Sequence, residues 1–147
     1  MSAREYVTFR VGEQLCGVEA SAVQHVFHPR GLTPVPLAPP EIAGVMSLRG
    51  RIVTAVCARQ RLGLPAREDG PEPFAIGLDM AGDSYGLLVD AVGEVLILDA
   101  GELQVPPGAL PPRWADSVRA VCQLETELLL ILDAGRLIER PTLDNEA

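Results

Sequence analysis

Glycine and proline interrupt this chain so often that long helices are excluded over most of its length. Fourteen glycines and thirteen prolines are spread among 147 residues. They separate short apolar runs such as Y-V-T-F-R-V at residues 6–11 and L-L-L-I-L at residues 128–132. Short runs of β-branched and aliphatic residues bounded by turn residues are typical of strands. About nine or ten such runs, with little helix between them, predict an all-β fold.

Three segments of the chain are expected to lie outside regular structure. Residues 28–40 contain prolines at positions 29, 34, 36, 39 and 40, which exclude a helix and a central strand. Residues 105–112 contain four prolines and are expected to be irregular for the same reason. Residues 66–73 combine charged residues with glycine and proline. We therefore predict a loop at 66–73 and, approximately, a subdomain division there within a single domain spanning residues 1–147.

The charge balance limits the classes of partner. Twenty carboxylates face twelve cations, all of them arginine, for a formal net charge of -8. This balance argues against nucleic-acid or anionic-lipid binding through a positive field, and it leaves protein partners open. The N-terminal residues M-S-A-R-E-Y lack the apolar segment of a secretory signal, and no apolar run is long enough to insert into a membrane. A cytoplasmic protein is predicted.

Histidine and cysteine side chains offer the only candidates for metal binding or nucleophilic catalysis. His25 and His28 form an H-x-x-H pattern that could hold a metal with Cys16 or Cys57. Residues three apart in a strand point to opposite faces, and Pro29 disfavours a helix there, so no metal is predicted. Cys57 beside a histidine could be a nucleophile, but an apolar environment raises the pKa of a thiol. We predict neither enzyme nor cofactor; a small Cys/His enzyme or metal-binding β protein remains the remote alternative.

The segment G-V-M-S-L-R-G-R-I-V at residues 44–53 has the pattern of a hairpin. Two apolar strands would be joined by a corner at Arg49 and Gly50, which places Arg49 at an exposed tip beside Leu48. A fixed guanidinium next to apolar side chains has the profile of an interface anchor. An ordinary surface arginine fits the same pattern equally well.

The motifs of this chain, taken in order, resemble those of the CheW family, the adaptors of bacterial chemosensory arrays. The match spans residues 5–138, and it includes C-G-V (16–18), T-P-V-P (33–36), G-V-M-S-L-R-G (44–50), R-L-G-L-P (61–65), G-L-L-V-D-A-V (86–92) and L-L-I-L-D (129–133). The resemblance implies an all-β fold of two small five-stranded SH3-like barrels packed together, with one or two short helices. It also implies no catalysis and no cofactor.

Partners and site residues follow from the same resemblance. CheW-like adaptors link the regulatory domain of a CheA-type histidine kinase to the cytoplasmic tip of methyl-accepting chemoreceptors. The receptor tip docks in a groove between the two barrels of the adaptor. Ser47 replaces the asparagine of the family pattern, and His25 replaces a frequent acidic residue, so a paralogue that binds the kinase but not the receptor stays an alternative. The implied receptor-binding residues are Val23, His25, Leu48, Arg49 and Gly50, and the implied kinase-binding residues are Ile42, Gly44 and Val45.

Overall fold

A computed structural model describes residues 3–65, 73–80 and 82–138, and it confirms the all-β prediction. Three short helices, α1 (Ala58–Arg61), α2 (Pro112–Ser117) and α3 (Ala134–Ile138), accompany the strands. None of the helices in these ranges is long and apolar enough to cross a membrane. The strands are β1 (Ala3–Val11), β2 (Gln14–Glu19), β3 (Val23–Phe27), β4 (Ile42–Leu48), β5 (Arg51–Cys57), β6 (Phe74–Met80), β7 (Asp83–Val89), β8 (Ala91–Asp99), β9 (Val118–Gln123) and β10 (Leu128–Leu132).

The strands form two five-stranded sheets. The first has the order β8-β1-β2-β10-β9 and the second has the order β3-β6-β7-β5-β4. Pairing is antiparallel except between β10 and β2 and between β5 and β7. Residues 66–72 lie outside the described residues, so the predicted subdomain division at 66–73 stays a prediction; β5 before them and β6 after them belong to one sheet. The chain changes sheet between β2 and β3 and between β7 and β8.

The second sheet bends until its two ends approach each other. Thr33, which follows β3, exchanges backbone hydrogen bonds with Val45 of β4: each N–H donates to the other's carbonyl oxygen, at 2.8 and 2.9 Å. This approach requires Gly44, whose φ is +150° and whose added β-carbon would lie 2.7 Å from the Thr33 carbonyl oxygen. Among the described residues, the first and last strands of each sheet do not pair with each other, so neither sheet closes into a barrel.

Both sheets contribute to one main hydrophobic core. Phe9 of the first sheet and Ile76 and Leu87 of the second are fully buried in it. A smaller cluster around Tyr6 covers the opposite face of the first sheet. Because side chains alternate along a strand, β10 supplies Leu130 and Leu132 to the main core and Leu129 and Ile131 to the smaller cluster. Burial on both faces explains the uninterrupted aliphatic run of β10.

An ion pair fixes the point where the chain returns to the first sheet. Asp90 lies between β7 and β8, and its carboxylate accepts hydrogen bonds from Arg59 Nε at 2.9 and 3.1 Å. The same carboxylate accepts the backbone N–H of Gly12, in the β1–β2 turn, at 2.6 Å. Arg59 belongs to α1, which directly follows β5 of the second sheet, so one carboxylate ties together elements of both sheets. Charge-assisted bonds of this kind are stronger than neutral ones.

Candidate functional site

The β4–β5 hairpin turns within two residues. Leu48 pairs with Arg51, and the residues between them, Arg49 and Gly50, have φ values of +54° and +81°. Positive φ at both central residues defines a type I′ turn, whose first central position favours Asn, Asp or Gly. An arginine in this left-handed conformation is strained by roughly 1–2 kcal/mol. The turn places Arg49 at an exposed tip, as its sequence pattern predicts.

The guanidinium of Arg49 makes no hydrogen bond or ion pair with another residue that the structure describes. Among the arginines that the structure describes, Arg30 and Arg49 alone make no hydrogen bond or ion pair with another described residue. The neighbouring Arg51, in contrast, lies 3.8 Å from the Asp79 carboxylate. A planar guanidinium with free donors can bind a carboxylate or carbonyl of another protein.

Arg49 lies at a pocket of about 280 Å³. The pocket combines buried and partly buried apolar side chains with exposed polar ones, an arrangement that can bind an apolar side chain and orient it through polar contacts. Every lining residue that the structure describes belongs to the second sheet or its β4–β5 turn, whereas the family resemblance implies a groove between two barrels. The apolar lining includes Phe27, Leu48, Val53 and Leu78, and the polar lining includes Gln24, Arg49, Arg51 and Asp79.

His25 forms one wall of this pocket. Its ring packs over Gly77 on the paired strand β6, where an added β-carbon would lie 3.2 Å from His25 Cε1. The ring also stacks on Phe27, with 5.0 Å between ring centroids and 30° between ring planes. His25 Nε2 is buried and has no hydrogen-bond partner in the described part of the chain. The absence of a side chain at Gly77 therefore makes room for the imidazole beside the Arg49 turn.

The structure brings together three of the five residues implied to bind the receptor. His25, Leu48 and Arg49 line the pocket. Val23 packs against the main core instead, because the register of β3 against β6 shifts between Val23 and His25. Gly50 completes the turn without lining the pocket. A role of these residues in receptor binding stays a prediction.

The three residues implied to bind the kinase lie on β4, partly covered by the chain itself. Ile42 packs against the main core, and Gly44 is buried beneath the backbone of Thr33. Val45 is half-buried and carries the hydrogen bonds to Thr33. Thr33 therefore covers part of the surface at Gly44 and Val45. Contact between these residues and a kinase stays a prediction.

The two histidines of the H-x-x-H pattern contact different neighbours. His28 lies against Phe74, with ring centroids 4.4 Å apart, and its Nδ1 is 3.3 Å from the carbonyl oxygen of Pro73. His25 faces the pocket. No group of three or more His, Cys, Asp or Glu side chains within the described ranges is placed to hold a metal ion.

Two of the three thiols have raised pKa values. Burial raises the pKa of Cys16 to about 12, against a smaller lowering effect of the Arg10 charge. Burial also raises the pKa of Cys122, and the charge of Glu102 adds to it. The expected effect of an apolar environment on a thiol is confirmed for these two residues. A thiol with a raised pKa is a poor nucleophile at neutral pH.

Comparison with known proteins decides the family. A model of the CheW-like domain family matches residues 5–142. The chain belongs to the CheW-like domain family. It is 30% identical over 144 residues to the chemotaxis protein CheW of Rhizobium meliloti (strain 1021), covering 98% of this chain and 92% of that protein. It is 25% identical over 147 residues to the chemotaxis protein CheW of Treponema pallidum (strain Nichols), covering 97% of this chain and 86% of that protein.

A solved CheW structure has the same fold. The crystal structure of the scaffolding protein TtCheW from Thermoanaerobacter tengcongensis matches this CheW-like domain with a TM-score of 0.83 and 26% sequence identity. The match covers 94% of each chain. The identification made from the sequence motifs is therefore confirmed, and so is the all-β architecture.

Several pocket residues of this CheW-like domain were not predicted. Phe27 and Val53 follow His25 and Arg51 by two positions, so strand alternation alone places each pair on one face. That signal was available in the sequence. Leu78, Asp79 and Tyr85 come from β6 and β7, and their presence depends on strand pairings between distant segments. No local pattern indicates those pairings.

Proposed function

We propose that this chain is a non-catalytic adaptor that couples a methyl-accepting chemoreceptor to a CheA-type histidine kinase in the cytoplasm. Membership of the CheW-like domain family supports the proposal, as do relatives named chemotaxis protein CheW and a structural neighbour described as a scaffolding protein. The observation that carries it is Arg49, a strained and exposed arginine that pairs with no other described residue and lies at a pocket with apolar side chains. A residue with these properties contributes more to a partner than to its own fold.

Receptor binding is proposed to occur at the Arg49 pocket. Apolar side chains of the receptor tip would contact Leu48 and Phe27, because both residues are only partly buried in the free chain. The guanidinium of Arg49 would donate hydrogen bonds to a carboxylate or backbone carbonyl of the receptor. The apolar contacts supply most of the binding free energy, and the arginine fixes the orientation of the receptor.

Kinase binding is proposed to use a second surface, at β4 and the segment that covers it. Neither Gly44 nor Val45 lines the Arg49 pocket. An adaptor must contact both partners at once, and two non-overlapping surfaces allow this. A paralogue that binds only the kinase would need only this second surface. The Arg49 pocket favours the two-partner function over that alternative.

A binding assay with both partners tests the proposal. The chain is immobilised at moderate salt and titrated with a receptor cytoplasmic fragment and, separately, with the kinase regulatory domain. The wild-type chain is expected to bind both, and Arg49→Glu is expected to weaken receptor binding about tenfold or more while leaving kinase binding unchanged. Arg30→Glu is the matched control, because Arg30 is also exposed and unpaired among the described residues.

The outcomes separate the candidate functions. Loss of receptor binding in Arg49→Glu and not in Arg30→Glu supports the proposal. Binding of the wild-type chain to the kinase domain alone identifies the kinase-only paralogue. Binding to neither partner refutes the adaptor function.

A further inference from the structure

The segment between β3 and β4 contains a tight turn with an unusual residue at its third position. The Ala38 N–H donates to the Val35 carbonyl oxygen at 3.3 Å, which closes a four-residue turn over Pro36 and Leu37. Leu37 has a φ of +63°. Proline at the second position and positive φ at the third are the signature of a type II turn, whose third position favours glycine or asparagine. A leucine there is disfavoured by its own backbone conformation.

The side chain of Leu37 contributes nothing to the folded chain that offsets this strain. Its relative exposure is 103%, the highest among the large apolar residues of the described ranges. Val35, in the same turn, is 39% exposed. Glycine at position 37 would satisfy the backbone and remove apolar surface from water. Backbone strain that the fold does not offset points to a functional role, and the exposed side chains of Leu37 and Val35 offer apolar surface for a contact outside the chain.

The turn belongs to the same segment as Thr33, which contacts two of the residues implied to bind the kinase. Thr33, four residues before Leu37, is hydrogen-bonded to Val45 and covers Gly44. No residue of segment 28–40 lines the Arg49 pocket. A partner that approaches Gly44 and Val45 therefore meets this segment first. Prolines on both sides of Leu37 restrict the backbone, which lowers the entropy lost when a partner binds.

We infer that Leu37 is an anchor residue that inserts into an apolar pocket on the regulatory domain of the CheA-type kinase, with Val35 packing beside it. This inference rests on the proposed function, and it names a kinase contact that the sequence motifs do not include. Anchors of this kind carry a large share of binding free energy because they are exposed before binding and desolvated after it. The buried Gly44 then acts by holding the segment in place.

Four variants of the full chain test the inference. Leu37→Gly and Leu37→Asn remove the apolar side chain and fit a left-handed backbone, whereas Leu37→Met keeps an apolar side chain. Ile97→Asn is the control, because Ile97 is 65% exposed on the first sheet. Each variant is titrated with the kinase regulatory domain and with the receptor fragment, and its urea unfolding midpoint is measured.

We expect Leu37→Gly and Leu37→Asn to weaken kinase binding about tenfold or more, with unchanged receptor binding and an unfolding midpoint equal to or above that of the wild type. Leu37→Met and Ile97→Asn are expected to bind the kinase within about twofold of the wild type. A change that lowers affinity while the fold becomes no less stable is not explained by a structural role.

Several outcomes would overturn the inference. If the wild-type chain binds the kinase and Leu37→Gly binds equally well, this inference fails and the proposed function stands. Loss of receptor binding in place of kinase binding would refute the choice of partner, and an equal loss in Ile97→Asn would show that the effect is not specific to Leu37. A wild-type chain that binds no kinase refutes both the proposed function and this inference.

Discussion

Replacing Arg49 by asparagine is expected to stabilise the protein and to weaken receptor binding. The left-handed conformation at position 49 costs an ordinary residue roughly 1–2 kcal/mol, and asparagine tolerates it better. The change removes no ion pair or hydrogen bond to another described residue. The expected gain in the free energy of unfolding is therefore about 1 kcal/mol. With a urea m-value of about 2 kcal/mol/M, the unfolding midpoint rises by about 0.5 M.

Urea titrations followed by circular dichroism measure this gain. Arg30→Asn is the control, because it removes an exposed arginine that pairs with no other described residue and whose φ is not positive. We expect the control to change the free energy of unfolding by less than about 0.5 kcal/mol. A destabilised Arg49→Asn protein, or one that matches the control, would refute the strain argument. Retained receptor binding in Arg49→Asn would refute the role of the guanidinium.

Three further predictions test the packing and electrostatics. Gly44→Ala is expected to lower the free energy of unfolding by about 2–4 kcal/mol, because the new β-carbon collides with the Thr33 backbone and breaks its hydrogen bonds to Val45. At the control position Gly101 an added β-carbon meets no other atom, so Gly101→Ala is expected to change the free energy of unfolding by less than about 0.5 kcal/mol. The hydrogen bonds from Arg10 lower the pKa of Glu127. The wild type should therefore be more stable than Glu127→Gln at pH 7, and this difference should disappear as the pH falls below the usual pKa range of glutamate. A difference that persists at pH 2 would contradict this prediction. Because burial raises the pKa of Cys16 to about 12, its alkylation at pH 8, followed by mass spectrometry, should be at least about a hundredfold slower in the native protein than in urea.

The β4–β5 hairpin could be predicted because its determinants are local. Apolar residues flank a two-residue corner, and a glycine at the second corner position fits the positive φ of a type I′ turn. The exposed position of Arg49 follows from that geometry. The strain at Arg49 could not be predicted, since arginine is not a residue that normally indicates a left-handed conformation. The strain became visible only in the structure.

Errors arose where a local pattern has two meanings. The prolines in 105–112 correctly indicated a break in regular structure, but Pro112 also begins helix α2, where proline is favoured because its missing N–H has no role in the first turn. The glycine, proline and charge content of 66–73 predicts a loop and a subdomain division; residues 66–72 lie outside the described residues, and the flanking strands β5 and β6 belong to one sheet. Which strands pair across the chain is decided by packing between distant segments.

Val23 illustrates the same limit at the site. Alternation along a strand predicts that Val23, His25 and Phe27 share a face. The structure places His25 and Phe27 at the pocket and Val23 against the main core, because a bulge shifts the pairing of β3 with β6 between Val23 and His25. A bulge inserts one residue and reverses the side-chain direction beyond it. Single-sequence patterns do not indicate bulges of this kind.

The most direct test of the adaptor function is a bridging measurement. The receptor cytoplasmic fragment is immobilised, and the kinase regulatory domain is passed over it with and without this chain. We expect the kinase domain to be retained only when the chain is present, and not when the chain carries Arg49→Asn, although that variant still binds the kinase domain in solution. Equal retention of the kinase domain without the chain, or displacement of the kinase domain by it, would contradict the proposed function.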